Sequence, residues 1–407
     1  MSLEEWKKVK LKDVIIFNPK ETIKKGKSSK KVAMDKLEPF TRKITGFEEV
    51  EFTSGTKFRN GDTLLARITP CLENGKTAQV DILNKNEVGF GSTEYIVLRE
   101  KINTTDNDFI YYMSISPEFR NVAIKAMNGS SGRQRVQKDV LENSEFMLPP
   151  IVEQRAIAKV LSVLDKKIEI NNQINDNLEK MAQSIFKQWF VDFEFPNEYG
   201  EPYKSSGGKM VESELGRIPK GWKAKELRAM IKFIKGKKPK TILENEFENS
   251  VKYLTIDALN GNTVQFAVND KVILANKNDT LMVMDGASSG TLYYGMDGIV
   301  GSTLAKIVVN DEAISQELLY YFLKNNEINI KAHLTGSAIP HTDKEFVNRL
   351  VISIPDDKKL VEEITNILSE IRNKVIICSQ EIKKINEIKD ILLPKLMSGE
   401  IRVPLEN

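Results

Sequence analysis

The chain carries nearly the same amphipathic stretch twice, as IAKVLSVLDKKI (Ile157–Ile168) and ITNILSEIRNKV (Ile364–Val375). The second copy begins 207 residues after the first, which is far longer than the roughly 20–50 residues of a solenoid repeat. Positions that alternate steps of four and three through residues 157–185 and 364–392 are apolar at seven and eight of nine places. This 3.5-residue spacing predicts two long helices that share a coiled-coil seam.

Two asparagines interrupt the apolar seam of the first helix. Asn171 and Asn175 fall on seam positions, where a polar residue can fix the register of a coiled coil. Alternatively, they lie at the edge of the seam and Ile174 takes their place. The sequence leaves both interpretations open.

The duplication extends into the segments that precede the two helices. Three groups of residues recur in the same order: Trp6, Leu11 and Phe17 as Trp222, Leu227 and Phe233; GDTLLA (61–66) as NDTLMV (278–283); and Gly91-Ser92-Thr93 as Gly301-Ser302-Thr303. Each half therefore predicts one globular head followed by one long helix.

The heads have the pattern of mixed α+β domains. Short β-branched runs such as EYIVLRE and TLAKIVV are bounded by Gly, Asn and Asp, and helical patches such as QELLYYFL interrupt them. In HTDKEF, Thr342 precedes Glu345 by three residues, and this capping-box spacing predicts that Thr342 caps a short helix.

Prolines and a change in composition set the expected domain boundaries. Pro149-Pro150 ends the first head, because proline is poorly tolerated inside a helix. A linker rich in Gly, Pro and Ser follows the first helix, and it favours antiparallel pairing because parallel pairing would force it back along the whole helix. We predict heads over 1–150 and 221–355, spacer helices over 151–193 and 356–393, a linker over 194–220 and a tail over 394–407.

Composition limits the possible chemistry. The 407 residues include 60 basic and 57 acidic side chains, so contact with a polyanion must come from local patches. The charged N-terminus is unlike a signal peptide and no segment is apolar enough for a membrane span, so we expect a cytoplasmic protein with no membrane partner.

No enzyme motif is present in the sequence. Two cysteines and two histidines are too few for the usual zinc or Cys/His sites, and the chain lacks phosphate-loop, nucleophile-elbow and dinucleotide-turn motifs. Asp356 with Glu381 and Lys383 mimics a nuclease set, but Glu381 falls on a predicted helix instead of a strand. We therefore expect no catalytic residues, no metal site and no cofactor.

Polar loops and lysine-rich stretches are the candidate binding sites. Arg can bind guanine through two hydrogen bonds, Asn and Gln can do so with adenine, and small residues admit phosphate. A solvated surface loop is the alternative for each stretch. The candidate DNA contacts are Lys27, Lys30, Arg67, Thr69, Asn74, Lys76, Arg133, Gln134, Arg135, Lys235, Lys237, Lys238, Lys240, Ser288, Ser289, Ser337 and His341.

Four segments carry a resemblance to a known family across essentially the whole chain. They are LPPIVEQRAIAKVL (148–161), SIFKQWFVDFEFPNEYGEPYKSSGGKMVESELGRIPKGW (184–222), GDTLLARITPCLENGK (61–76) and LLPKLMSGEIRV (392–403). In these segments the chain resembles the specificity subunit of type I restriction-modification systems. The entry to the second helix, IPDDKKLVEEI, departs from the pattern because it lacks the Pro-Pro and Glu-Gln of the first.

The resemblance implies a non-catalytic DNA-recognition subunit. It implies two target-recognition domains, each reading half of a bipartite site in double-stranded DNA, joined by an antiparallel helix pair. It also implies two methylation subunits that bind S-adenosylmethionine, and restriction subunits that join through the complex and use ATP. An alternative of another class is a scaffolding rod whose heads bind protein.

Overall fold

A computed structural model describes residues 5–130, 132–261 and 263–404. These residues form two compact units. The first unit comprises the described residues up to Asn171 together with those from Glu381 onwards, and the second runs from Asn172 to Gln380. Each unit therefore contains one head, a part of the first long helix and a part of the second.

The first head alternates short strands with short helices. It contains β1 (Lys7–Lys10), α1 (Leu11–Val14), β2 (Ile15–Phe17), β3 (Ser28–Val32), β4 (Glu48–Glu51), β5 (Thr56–Phe58), β6 (Thr63–Ala66), β7 (Thr77–Gln79), β8 (Gly89–Gly91), β9 (Tyr95–Glu100), α2 (Asn107–Ile115), α3 (Pro117–Lys125), β10 (Met127–Asn128), β11 (Arg135–Val136), α4 (Lys138–Asn143) and β12 (Glu145–Leu148). The first long helix is α5 (Ile151–Phe190), and the hairpin β13 (Met210–Ser213) and β14 (Gly216–Pro219) follows it.

The second head and the second long helix complete the chain. They are β15 (Trp222–Glu226), β16 (Ile231–Lys235), β17 (Ile242–Leu243), β18 (Ser250–Leu254), α6 (Ile256–Leu259), β19 (Gln265–Val268), β20 (Leu274–Ala275), β21 (Thr280–Val283), β22 (Leu292–Tyr294), β23 (Gly298–Val300), β24 (Leu304–Val309), α7 (Gln316–Asn325), α8 (Glu327–Ala332), α9 (Lys344–Arg349), β25 (Val351–Pro355) and α10 (Lys358–Ser398).

The two heads have the same sheet topology. The first head has sheets in the order β2-β9-β6-β7 and β4-β3-β8-β5, and the second has β16-β24-β21-β22 and β17-β19-β18-β23-β20. In each head one parallel pair, β3 with β8 or β18 with β23, lies within an otherwise antiparallel sheet. Strand β17 is an added edge strand of the second head. The prediction of a duplicated mixed α+β head is confirmed.

The long helices complete the hydrophobic core of each unit. In the first unit, Ile157 and Leu161 of α5 and Leu396 of α10 belong to one buried cluster with the head residues Leu65 and Leu98. The second unit repeats this arrangement with α5 and α10 exchanging their roles, since the start of α10 and the end of α5 join its core. Burial of apolar surface therefore holds each head against both helices.

The predicted seam is confirmed, because all eighteen seam positions are at least partly buried. In the first unit, Asn171 of α5 donates to Glu381 of α10 (2.8 Å), and Lys389 of α10 donates to Asp165 of α5 (2.6 Å). The two helix segments therefore run in opposite directions. Asn171 is 1% exposed whereas Ile174 is 40% exposed. The asparagine therefore occupies the seam, and the interpretation in which Ile174 replaces it is wrong.

Asn175 lies in the second unit and donates to Ser379 across the same seam, at 3.2 Å. A shift of either helix would break the polar pairs at these two successive seam positions. The pairs therefore specify the register.

Asp343 caps α9, so the predicted cap by Thr342 is wrong. The Asp343 carboxylate accepts from the backbone N–H groups of Glu345 and Phe346, at 2.9 and 3.0 Å. The hydroxyl of Thr342 is buried and donates to the carbonyl of Val283 instead, at 2.6 Å. The Thr342 hydroxyl thus bonds to a residue distant in the sequence and is not available for the local capping pattern.

Candidate nucleic-acid interface

Two polar loops lie side by side in the first head. Residues 67–76 follow β6, and residues 129–130 and 132–136, which end in β11, follow β10. The N–H of Thr69 donates to the carbonyl of Gln134 (3.0 Å), and the N–H of Val136 donates to the carbonyl of Arg67 (2.8 Å). We call residues 67–76, 129–130 and 132–136 the first loop pair. It brings together both polar loops that the sequence identified in this head.

The first of these loops is braced from two sides. The guanidinium of Arg120 donates to the carbonyls of Leu72 and Glu73, both at 3.1 Å, and stacks 4.8 Å from the ring centre of Phe40. Gly75 has a φ of +78°, and a Cβ there would lie 2.6 Å from the Phe40 ring. These contacts within the protein therefore fix the conformation of residues 67–76 without any ligand.

Several predicted DNA contacts of the first loop pair are engaged within the protein. Arg67 donates to the carbonyl of Val136 at 3.0 Å. The Arg135 guanidinium forms an ion pair with Glu94 at 2.7 Å, and this hydrogen-bonded carboxylate raises the pKa of Arg135. Contacts of the same kind hold Lys76, which donates to the carbonyl of Met34 (3.0 Å), and Thr69, whose hydroxyl donates to Glu73 (3.1 Å).

Three predicted contacts of this loop pair have side chains available to a ligand. Asn74 and Arg133 are exposed and Gln134 is half-buried. Among the described residues, none of these three side chains has a hydrogen-bond or ion-pair partner. They present one guanidinium and two amides at the surface.

Lys27 and Lys30 lie on the other sheet of the first head. Lys30 is 8% exposed, and its ammonium donates to the carbonyl of Ile82 at 2.8 Å and lies 3.6 Å from Glu87. Lys27 is exposed and directly precedes β3. The structure therefore leaves Lys27 open to solvent and uses Lys30 inside the head.

The second head also places two loops side by side. Asp285 pairs with His341 in an isolated antiparallel bridge, and Gly286 donates its N–H to the carbonyl of Pro340 at 2.9 Å. Ser289 is buried and donates to that carbonyl and to the carbonyl of Gly286. We call residues 285–291 and 335–342 the second loop pair. It also carries Ser288 and Ser337, whose hydroxyls have no partner among the described residues.

A cluster of three ionisable groups marks the edge of the second loop pair. The Nδ1 of His341 lies 2.8 Å from one oxygen of Asp285, and the ammonium of Lys235 lies 3.1 Å from the other. Burial raises the pKa of Asp285, but the hydrogen bonds from His341 and Lys235 outweigh it and lower that pKa below its usual value. The carboxylate therefore stays ionised between two donors.

The lysine-rich stretch after β16 is divided between paired and open side chains. Lys235 contacts Asp285, and Lys240 lies 3.6 Å from Asp270. Lys237 and Lys238 are exposed, and the part of the chain that the structure describes offers neither ammonium a partner. These two lysines keep their full charge toward solvent.

Sequence reasoning missed Glu94 and Asp285, which hold the predicted cations. Glu94 directly follows the recurring Gly-Ser-Thr motif and Asp285 follows β21 in MDGASSG, so each stands beside a motif that the duplication had already identified. A search for acidic residues next to repeated motifs would have found both.

Glu381, the member of the nuclease-like set, is used in the helix seam. It accepts from Asn171 and lies 3.2 Å from the ammonium of Lys167, and these two contacts lower its pKa. Across residues 5–130, 132–261 and 263–404, no cluster of three or more His, Cys, Asp or Glu could hold a metal ion. None of the described helices is long and apolar enough to cross a lipid bilayer.

Comparison with known proteins points to one family. The model of the family described as type I restriction modification DNA specificity domain matches residues 3–180 and 219–388. The specificity subunit of the type I restriction enzyme MjaVIII of Methanocaldococcus jannaschii is 31% identical over 184 residues, which are 45% of this chain and 43% of that relative.

Two further proteins match nearly the full length. The specificity subunit of the type I restriction enzyme HindI of Haemophilus influenzae is 23% identical over 88% of this chain and 90% of its own. The crystal structure of a type I restriction-modification S subunit from M. genitalium superposes with a TM-score of 0.61 at 16% identity, covering 97% of this chain and 96% of that one. At this identity, the structural match supports the fold.

Proposed function

Because this chain belongs to the family of type I restriction modification DNA specificity domains, we propose that it selects the DNA sequence on which a type I restriction-modification enzyme acts. In this proposal the first loop pair reads one half of a bipartite target and the second loop pair reads the other. The heads correspond to residues 1–150 and 221–355, and the helices between them set the spacer that is not read.

The observation that carries the proposal is that one scaffold is used twice with different side chains. Both heads have the same sheet order apart from the added edge strand β17, and each places two polar loops side by side. The first pair presents a guanidinium and two amides, whereas the second presents hydroxyls and an imidazole. Such different donors and acceptors match different base edges, so the target should have two unlike halves.

Within the first head, we propose that Asn74, Arg133 and Gln134 contact base edges. Their side chains are free of partners among the described residues, and Arg with guanine or Asn and Gln with adenine can form paired hydrogen bonds in the major groove. The guanidinium of Arg67 already donates to the carbonyl of Val136, and that of Arg135 already pairs with Glu94. Their main contribution is to hold the two loops in a fixed geometry.

Lysines outside the loop pairs would contact phosphates. Lys237 and Lys238 are exposed and carry their charge toward solvent, which suits contacts that position DNA without reading its sequence. Lys27 has the same character in the first head.

We propose that catalysis and cofactor binding belong to partner subunits. Two methylation subunits would dock on α5 and α10 outside the seam, and restriction subunits would join through the complex. Large apolar side chains on both helices support a docking role, since Val163 and Met181 of α5 and Ile377 and Ile391 of α10 are more than half exposed. Exposed apolar side chains of this kind are groups that a protein partner can bury.

The test is to express the chain with its neighbouring methylation subunit and to map modified adenines across the genome. The proposal expects one bipartite, asymmetric motif, and it expects the chain alone neither to cut nor to methylate DNA. Native mass measurement of the complex should find two methylation subunits per chain. A scaffolding rod with protein-binding heads would instead give no modified motif and no shift of any duplex in a gel.

A further inference from the structure

The second loop pair holds a histidine in one orientation. The backbone of His341 exchanges hydrogen bonds with Thr335, at 2.9 Å and 2.7 Å. The ring lies over Gly336, where the φ is +87° and a Cβ would come within 2.9 Å of the ring carbon Cδ2. On its other side, Nδ1 contacts Asp285 at 2.8 Å. Backbone and ring are therefore both fixed, while about half of the side chain remains exposed to solvent.

We infer that His341 reads an exocyclic amino group of a base in the half-site of the second head, accepting its hydrogen bond at Nε2 while Asp285 holds the proton on Nδ1. The inference rests on the proposed function, because it requires the second loop pair to face DNA. Asp285 and Lys235 act as positioning residues in this arrangement.

The carboxylate decides which ring nitrogen carries the proton. An ionised carboxylate can only accept hydrogen bonds, so Nδ1 must be the donor toward Asp285. In the neutral imidazole, Nε2 then has a lone pair and acts as an acceptor. Among major-groove edges, only adenine N6 and cytosine N4 offer an amino donor, whereas guanine and thymine offer acceptors there. The neutral ring thus selects adenine or cytosine.

Lys235 holds the Asp285 carboxylate from its other side. Its ammonium lies 3.1 Å from the second oxygen of Asp285, so the carboxylate shares its charge between two partners. Asp285 thus contacts the ring directly and Lys235 lies behind it. Asp343, two residues along the chain, is occupied in capping α9.

The equivalent position in the first head has the opposite hydrogen-bonding character. There the bridge pairs Ile68 with Arg135, as Asp285 pairs with His341 in the second head. A guanidinium only donates and stays charged at any physiological pH, whereas a neutral imidazole can accept. The same backbone position therefore carries a side chain that only donates in the first head, where Glu94 accepts from it, and a side chain that can accept in the second.

The experiment uses the full chain in complex with methylation subunits and duplexes of its mapped motif. In the second half-site, each adenine is replaced in turn by purine and each cytosine by 2-pyrimidinone, which removes a single amino group. At one position, removal should weaken binding by about five- to tenfold, the worth of one hydrogen bond. In His341→Ala that penalty should vanish while the penalties at other positions persist. Arg133→Ala, in the other head, should retain it.

Two further variants separate reading from a structural role. His341→Gln keeps an acceptor at this position, so its penalty should persist. Asp285→Asn can donate to Nδ1, which moves the ring proton to Nε2, and should abolish the penalty.

Failure of the proposed function and failure of this inference give different results. A wild-type complex that binds no duplex selectively would overturn both together. Selective binding without any position coupled to His341, or a coupled penalty that Asp285→Asn leaves unchanged, would overturn the inference alone.

Discussion

Lys389 of α10 places its ammonium 2.6 Å from the carboxylate of Asp165 in α5, and both side chains are mostly buried. The second carboxylate oxygen accepts from the hydroxyl of Tyr112 in the first head, at 2.7 Å. At the 207-residue offset, the equivalent positions are Arg372 and Ala182. Arg372 is buried against the rings of Tyr294 and Tyr320. The repeat thus conserves the backbone and changes the buried charges.

Removal of the Lys389 ammonium should destabilise the first unit by more than the loss of its own contacts would. Lys389→Met leaves the Asp165 carboxylate buried without its counter-ion, so we expect the free energy of unfolding in urea to fall by about 3 kcal/mol. The double change with Asp165→Asn, which still accepts from Tyr112, should recover most of this loss. Lys383→Met, in an exposed pair with Glu387, should change it by less than about 0.5 kcal/mol. Equal effects would contradict the assignment.

Asp285 should stabilise the second head only above acidic pH. Its folded pKa lies below its usual value, so the ionised form favours the folded state. This stabilisation is complete above the unfolded pKa of about 3.9 and is lost as the pH falls through the lowered folded value. The urea midpoints of the native chain and Asp285→Asn should therefore differ near neutrality and converge once the solution is acidic enough to protonate the folded-state carboxylate. A constant difference would show that the carboxylate charge is unimportant.

Lys237 and Lys238 should contribute to DNA binding without selecting a sequence. The double change to alanine should weaken binding to the target and to unrelated duplexes by the same factor. Each lost phosphate contact should also reduce the slope of log affinity against log salt concentration by about 0.9. Lys223→Ala, whose ammonium is paired with Asp356, is the matched control and should leave the slope unchanged. An altered methylation motif in the double variant would mean that these lysines read bases.

The helices should determine the length of the unread spacer. Seven residues inserted after Asn171 in α5 and seven after Gln380 in α10 preserve the 3.5-residue seam and add about 10 Å to each helix. The spacer of the methylated motif should then grow by about three base pairs at ~3.4 Å each, with both half-sites intact. A seven-residue insertion in the exposed loop at Glu246 should leave the spacer unchanged. Changed half-sites with the original spacer would show that the helices do not set the distance.

The seam and the duplicated heads could be predicted because both are periodic features of local sequence. The polarity of the two loop pairs was also visible, in Arg133 and Ser288 for example. The partners of the predicted contacts were not, because Glu94 lies 41 residues before Arg135 and meets it only once the sheet has formed. Thr342 shows the same limit, because its hydroxyl donates to the carbonyl of Val283, which is distant in the sequence. Sequence thus located the surfaces, and tertiary pairing decides which side chains remain available on them.

The most direct test of the central claim, that each head reads its own half-site, is the methylation motif of two matched variants in the intact complex. Arg133→Ala with Gln134→Ala should relax or change one half of the motif, at about 1–3 kcal/mol for each lost paired base contact, and leave the other half and the spacer as they were. Ser337→Ala with His341→Ala should change only the opposite half. Motifs identical to that of the native complex, or changes in both halves from either variant, would contradict the claim.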